Sequence, residues 1–152
     1  MKSCCFTGHR ILANADITTL EKKLTETIRT LYEEGITHYY CGGAIGFDTL
    51  AACMVLQLKE SLPDLRLHMI LPCRGQDKKW TFSQKQSYAR ILQAADDTLF
   101  LAESYDSGCM RRRNRYLVDH ADVCIAHYKG TPGGTAYTVN YAYQNGLRMI
   151  IL

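Results

Sequence analysis

Net charge of one sign is nearly missing from this sequence: 18 lysines and arginines stand against 15 aspartates and glutamates, a formal +3. So small an excess gives no ground for a nucleic-acid or anionic-membrane partner unless basic residues cluster locally. The only such cluster is Arg111, Arg112, Arg113 and Arg115. No apolar run approaches the roughly 20 residues of a membrane span, and the first residues hold only a short apolar patch before Gly8, too short for a secretory leader. The seven cysteines include no CxxC pair. Cys4 and Cys5 are adjacent and the others are scattered, which excludes a zinc site or disulfide scaffold and points to reduced thiols in a cytoplasmic protein.

What is there is ordinary for a globular chain, 47% hydrophobic and 22% charged residues over a length of one domain, residues 1–152. Short β-rich runs alternate with helical patterns. Ser3 to Thr7 is apolar and stops at Gly8. Ile17, Leu20, Leu24, Ile28 and Leu31 recur at helical steps, with Thr18 and Glu21 at capping-box spacing and Gly35 as a left-handed stop. Further strand runs are Ile36 to Cys41, Leu65 to Leu71, Thr98 to Ala102, Asp122 to His127 and Arg148 to Leu152. Between them lie a stripe from Phe47 to Leu58, a helix announced by Ser83 and Gln86, another over Gly108 to His120, and one carrying Val139, Ala142 and Tyr143 that ends at Gly146. This alternation, with several strands apolar throughout, predicts a single doubly wound, Rossmann-like α/β domain: a mostly parallel six-stranded sheet with helices on both faces.

In such a sheet ligands bind at the carboxyl ends of the strands, near the point where strand order reverses. That edge collects the unusual residues: Thr7 to Arg10, Gly42 to Asp48, Arg74 with Trp80, Glu103 with Tyr105, and Gly130 to Thr135. Two of these loops pair glycines with a helix that starts at once. Glycine lets a ligand approach the backbone, and the helix's first amides offer unpaired donors, so both loops suit a phosphate. A nicotinamide dehydrogenase would carry GxGxxG after the first strand and an acidic residue ending the second; the chain has neither, and it also lacks the GxxxxGK of a P-loop enzyme.

Four segments in order, CCFTGHR, GGAIGFD, RNRYLVDHAD and GTPGGT, resemble the SLOG superfamily and, within it, the YpsA-like branch. The resemblance spans nearly the whole chain. It implies a Rossmann-like fold and a nucleotide or nucleotide-derived ligand, in a superfamily that also contains phosphoribohydrolases, which release a base from a nucleoside monophosphate, and a DNA-binding branch. By position, Gly42, Gly43, Gly46 and Asp48 match the first glycine motif, and Gly133, Gly134 and Thr135 the second. The hydrolase relatives carry PGGxGTxxE, whose glutamate takes part in catalysis. Aligned on Gly134 and Thr135, that glutamate's place is held by Thr138.

The expected ligand site therefore comprises Thr7, Gly8, His9, Arg10, Gly42, Gly43, Gly46, Asp48, Arg74, Tyr105, Arg111, Gly133, Gly134 and Thr135. His9 is read as an acid, a base or a ligand contact, Arg10 as a phosphate contact, and Asp48 as a ribose partner or a first-turn carboxylate that steadies its helix. Trp80 and Tyr105 either stack on a base or cover the core. At least two of the four clustered arginines are expected on a solvated face, with Arg111 or Arg112 reaching a phosphate.

The expected function is binding or sensing of a nucleotide-derived small molecule through two glycine-rich phosphate loops. The alternative is hydrolysis of a nucleotide's N-glycosidic bond, with Asp48 or Glu103 in place of the missing glutamate. No metal and no membrane is expected, and no cofactor is named. Nucleic acid ranks as the weakest partner class, for want of a basic groove with interleaved aromatics. Assembly into a homo-oligomer is left open.

Overall fold

The computed structural model describes residues 2–152 as β1 (Ser3–Gly8), α1 (Asn14–Glu33), β2 (His38–Cys41), α2 (Phe47–Lys59), β3 (Arg66–Leu71), α3 (Phe82–Ala94), β4 (Asp97–Phe100), α4 (Cys109–Asp119), β5 (Val123–His127), α5 (Gly134–Gln144) and β6 (Arg148–Ile151). Every strand pairing is parallel, in the order β4-β3-β2-β1-β5-β6. The chain steps outward from β1 to β4, then returns to set β5 beside β1 and ends on β6. Crossovers between parallel strands turn right-handed, so the outward and return journeys place their helices on opposite faces. Accordingly α1, α2 and α3 pack together on one face, and α4 and α5 on the other. The chain is a Rossmann-like α/β protein.

β1 shows the consequence residue by residue. Cys4 and Phe6 join Leu24, Ile28, Val55 and Leu67 under the three-helix face, while Cys5 joins Leu117, Val118, Cys124 and Ala142 under α4 and α5. A strand covered on both sides needs apolar residues at every position, which is why β1 and β5 carry no alternation. Burying each Leu, Ile or Phe stabilises the domain by about 1.5–3 kcal/mol. Six of the seven cysteines are buried and unpaired, acting as small core hydrophobes, and Cys53 is exposed.

Two helix starts differ from expectation. α1 begins at Asn14, so Thr18 and Glu21 lie inside it, and its N-cap Ala13 makes no side-chain bond. Nothing in Asn14 to Ile17 breaks a helix, and adding a turn to an existing helix is far easier than nucleating one. The box of α3 is Thr81 with Gln84, two residues before the expected Ser83 and Gln86: Thr81 Oγ1 accepts the Gln84 N–H at 3.2 Å and Gln84 Oε1 accepts the Thr81 N–H at 3.0 Å. Gly35, at φ +88°, ends α1 as expected. Among the described residues no helix is long and apolar enough to cross a membrane.

Candidate functional site

Strand order reverses between β1 and β5, whose carboxyl ends, Gly8 and His127, lie side by side. Here a doubly wound sheet opens its crevice. His9 Nε2 accepts the Lys129 backbone N–H at 3.0 Å, tying the loop after β1 to the loop after β5. That acceptor role puts the proton of the neutral ring on Nδ1. His127, with its ring centre 5.6 Å from that of His9, is buried without a partner for Nδ1, and burial pushes its pKa down.

The loop after β2 is closed by the protein itself. Gly46, which precedes α2, has φ +79°, and a Cβ there would overlap the Arg10 carbonyl. A Cβ on Gly8 would run into the Phe47 ring. At Gly42 a Cβ would come within 2.6 Å of Arg113 Nη1, which donates to the Gly42 carbonyl at 2.5 Å. Gln76 Nε2 adds contacts to the Gly42 and Gly43 carbonyls, each at 3.4 Å.

Arg113 is only 4% exposed. Sequence reasoning, intent on Arg111 and Arg112, missed it. The signal was available, because Arg113 stands four residues from both Cys109 and Leu117, and all three are buried on one face of α4. Asp48, in the first turn of α2, is buried too, and its Oδ2 accepts the Ala44 N–H at 3.1 Å. Burial raises its pKa while the Arg113 charge opposes the rise; burial in turn lowers the pKa of Arg113 and Asp48 opposes that. The two are a buried pair of complementary charges around the Gly42–Gly46 loop.

The loop after β5 is open. At Gly130, Gly133 and Gly134 an added Cβ meets nothing within 4 Å. Gly133 precedes α5, Gly108 precedes α4, and a pocket of about 420 Å³ lies between the two helix starts, lined by Ser107, Gly108, Met110, Arg111, Asn114, Gly133, Gly134 and Tyr137. Neither N-cap glycine has a side chain to cap its helix. At α4 the Gly108 and Cys109 N–H groups are taken by the carboxylate and carbonyl of Asp106, so the open amides and positive dipole end that border the cavity are those of α5. The Arg111 guanidinium lies 4.3 Å over the Tyr137 ring. Arg115 Nε donates to the Tyr137 hydroxyl at 2.5 Å and its guanidinium lies 5.4 Å over Tyr141. Asp106, just before Ser107, is engaged by Arg112 at 2.5 Å and by the Gly108 N–H at 2.9 Å, which hold its carboxyl below the usual range.

The other expected residues fall around this core. Thr135 continues the first turn of α5, and Thr7 is buried at the end of β1 opposite Ala126. Arg10 reaches toward Met110 and also borders a second pocket of about 380 Å³ between α1, α2 and α3. Arg74 lies 4.2 Å over Phe100 and pairs with the exposed Glu103 at 3.1 Å, outside the α4–α5 pocket. Tyr105 is 70% exposed, and Trp80 packs edge-on against Tyr88 at 5.0 Å over the core. The aromatic that lines the pocket is Tyr137, which the sequence reading did not single out. Thr138, at the place of the relatives' glutamate, is buried and donates to the Gly134 carbonyl at 2.8 Å.

Fold and edge define a doubly wound α/β domain with an arginine-lined pocket at one of two glycine-rich helix starts. The chain belongs to the YspA SLOG family, whose profile matches residues 7–149. It is similar to the uncharacterized SPbeta prophage-derived protein YoqJ of Bacillus subtilis, 31% identical over 149 residues that cover 90% of this chain and 87% of the relative. A UPF0398 protein of Halalkalibacterium halodurans is 30% identical over 129 residues, 83% of this chain and 68% of that one. Among solved structures, DNA processing protein A from Helicobacter pylori, described for its single-stranded DNA binding mode, superposes with a TM-score of 0.67 at 18% identity, covering 99% of this chain and 64% of that chain. At that identity the likeness is one of fold. Because a single-stranded DNA binder has this fold, fold alone gives no reason to rank nucleic acid last among partners.

Proposed function

We propose that the α4–α5 pocket binds a nucleotide-derived small molecule by its phosphate. The observation that carries this reading is the meeting of the uncapped start of α5, with its open Gly133 and Gly134, and Arg111 of α4 around one cavity. Its volume of about 420 Å³ suits a ligand of nucleotide size, and Tyr137 offers the base a ring. The carboxylates considered for hydrolysis lie elsewhere, Asp48 buried beside the Gly42–Gly46 loop and Glu103 exposed beside Arg74. Positioned acids and bases each contribute about 10²- to 10⁴-fold to such a reaction, so the geometry favours binding over cleavage. A thermal-shift screen of nucleotides tests this, since a ligand at 100 times its Kd stabilises the domain by about 2.7 kcal/mol. Arg111→Ala should weaken a phosphorylated hit at least tenfold and its dephosphorylated analogue far less. Equal losses would remove the phosphate from this pocket.

A second reading has its own observation. Arg111 and Arg115 alternate with Tyr137 and Tyr141, whose rings are stacked at 6.2 Å, which gives α4 and α5 the basic, aromatic surface that single-stranded nucleic acid requires. Labelled oligothymidine should then bind with an affinity that falls steeply with salt. Tyr141 lies outside the pocket, so loss of the strand but not of nucleotides in Tyr141→Ala would establish this reading, and no binding at low salt would end it.

A further inference from the structure

Met110 lines the α4–α5 pocket from the first turn of α4. Its thioether sulfur lies 3.8 Å from Nη2 of Arg113 and 3.9 Å from Nη2 of Arg10. Two guanidinium groups, one from α4 and one from the loop after β1, therefore converge on a single neutral atom that is a weak acceptor. The arginine ion pairs among the described residues involve Arg66, Arg74, Arg112 and Arg148, so neither Arg10 nor Arg113 has one.

For Arg113 the arrangement is incomplete. Its Nε donates to Asn114 Oδ1 at 2.8 Å and its Nη1 to the Gly42 carbonyl and, at 3.5 Å, to Gln76 Oε1, while Nη2, on a buried side chain, has only the sulfur. A buried cation calls for acceptors of full strength. Arg10, by contrast, is exposed and has no carboxylate partner, so an arriving anion can reach it from solvent.

An oxyanion meets both needs. Charge-assisted N–H···O contacts of about 2.8 Å to two oxygens of one phosphate span a gap comparable to that between nitrogens each within 4 Å of a common atom. Methionine, unbranched and with three rotatable bonds, leaves such a place readily. We propose that Arg10 and Arg113 form an oxyanion subsite that the Met110 side chain plugs in the free protein and vacates when an anionic group arrives. This rests on the reading of the α4–α5 pocket as a phosphate site and narrows its ligand class. The ligand then carries two anionic groups, as a diphosphate does, one at the start of α5 and one behind Met110.

Calorimetry of the full chain with inorganic phosphate and with pyrophosphate tests the subsite. Met110→Ala should bind phosphate about tenfold tighter than the unaltered chain, because no side chain has to be displaced, and adding Arg10→Ala should abolish the gain. The unaltered chain should bind pyrophosphate at least tenfold tighter than phosphate. With methyl-¹³C methionine, the Met110 resonance should move on addition of phosphate, and the movement should be lost in Arg10→Ala. Unchanged phosphate affinity in folded Met110→Ala, or a gain that survives Arg10→Ala, overturns the proposal. Should Met110→Ala fail to fold, an unmoved Met110 resonance at high phosphate overturns it equally. A phosphate gain that depends on Arg10 supports the subsite even where no nucleotide binds, whereas nucleotide binding lost in Arg111→Ala upholds the pocket even where the subsite fails.

Discussion

Two glycine-rich loops start two helices on the same edge of the sheet, and they differ in what fills the space a side chain would take. Around Gly42, Gly43 and Gly46 that space holds Arg113, Leu71 and the Arg10 carbonyl; around Gly133 and Gly134 nothing lies within 4 Å. A missing Cβ always permits a close approach. In the loop after β2 the approaching group is the protein itself, and the result is a packed arch around the buried Asp48 and Arg113. In the loop after β5 the space stays open, as the proposed phosphate site requires. The scaffold and the proposed binding surface thus use one residue type for opposite ends, and mutations should tell them apart.

The largest expected effect comes from Gly46→Ala. Alanine would be forced to a positive φ, which costs about 1–3 kcal/mol, and its Cβ would overlap backbone, which costs about as much again. At about 2–4 °C per kcal/mol for a domain of this size, thermal unfolding should show Tm lowered by about 10 °C. A drop under about 2 °C would mean that the arch yields freely and that the two loops are not different in kind.

Next in size is Arg113→Met, which leaves Asp48 buried without its compensating charge. Removing one member of a buried pair costs about 3–5 kcal/mol, and the lower end is expected because no ion-pair contact joins these two. Adding Asp48→Asn should restore at least about 1 kcal/mol, a coupling of the size found between groups in contact, measured by urea unfolding. Simple additivity would show that each is held by its own neighbours.

How far all this was legible follows the same division. The order of strands and helices could be read because a parallel sheet covered on both faces demands apolar runs, and β1 and β5 supply them. Both glycine loops stood out as well. Which of them was closed could not be read, because the groups that fill the space, Arg113 and the Arg10 carbonyl, come from distant parts of the chain or from its backbone. Tyr137 escaped for a related reason: helical spacing tells which residues share a face of α5, and only the docking of α4 tells which face borders the pocket. Arg113 was the avoidable miss, since its spacing to Cys109 and Leu117 marked it as inward-facing.

Acid should act on the scaffold in a smaller, graded way. Burial lowers the pKa of His127, beside the crevice, and of His38 on β2. Below the ordinary histidine value of about 6.5 the unfolded chain therefore binds protons that the folded chain refuses, so stability falls as pH drops from there through the depressed folded values. Asp48 has the opposite sign, its raised pKa favouring the folded chain only in the carboxylate range nearer its ordinary 3.8. Urea midpoints should decline between about pH 6.5 and 5, and His127→Gln should flatten part of that slope. A midpoint constant over this range would show that neither ring is held neutral by the fold.

The smallest effect on stability belongs to Gly134→Ala, the counterpart of the first substitution. Gly134 is the first residue of α5, its φ is not positive, and an added Cβ has no neighbour within 4 Å. Alanine is the better helix former by up to about 1 kcal/mol in a helix interior and by less at an end, so the stability should stay within about 0.5 kcal/mol of the original or rise slightly. The methyl would instead stand at the wall of the α4–α5 pocket, where a phosphate must come close to the backbone amides. A nucleotide that stabilises the unaltered chain should therefore lose about tenfold in affinity, or about 1.4 kcal/mol, with no change in the unliganded melting curve. If the ligand binds as before while Gly46→Ala unfolds the protein, the loop after β5 is a turn like its counterpart, and the phosphate has to be sought behind Met110 alone.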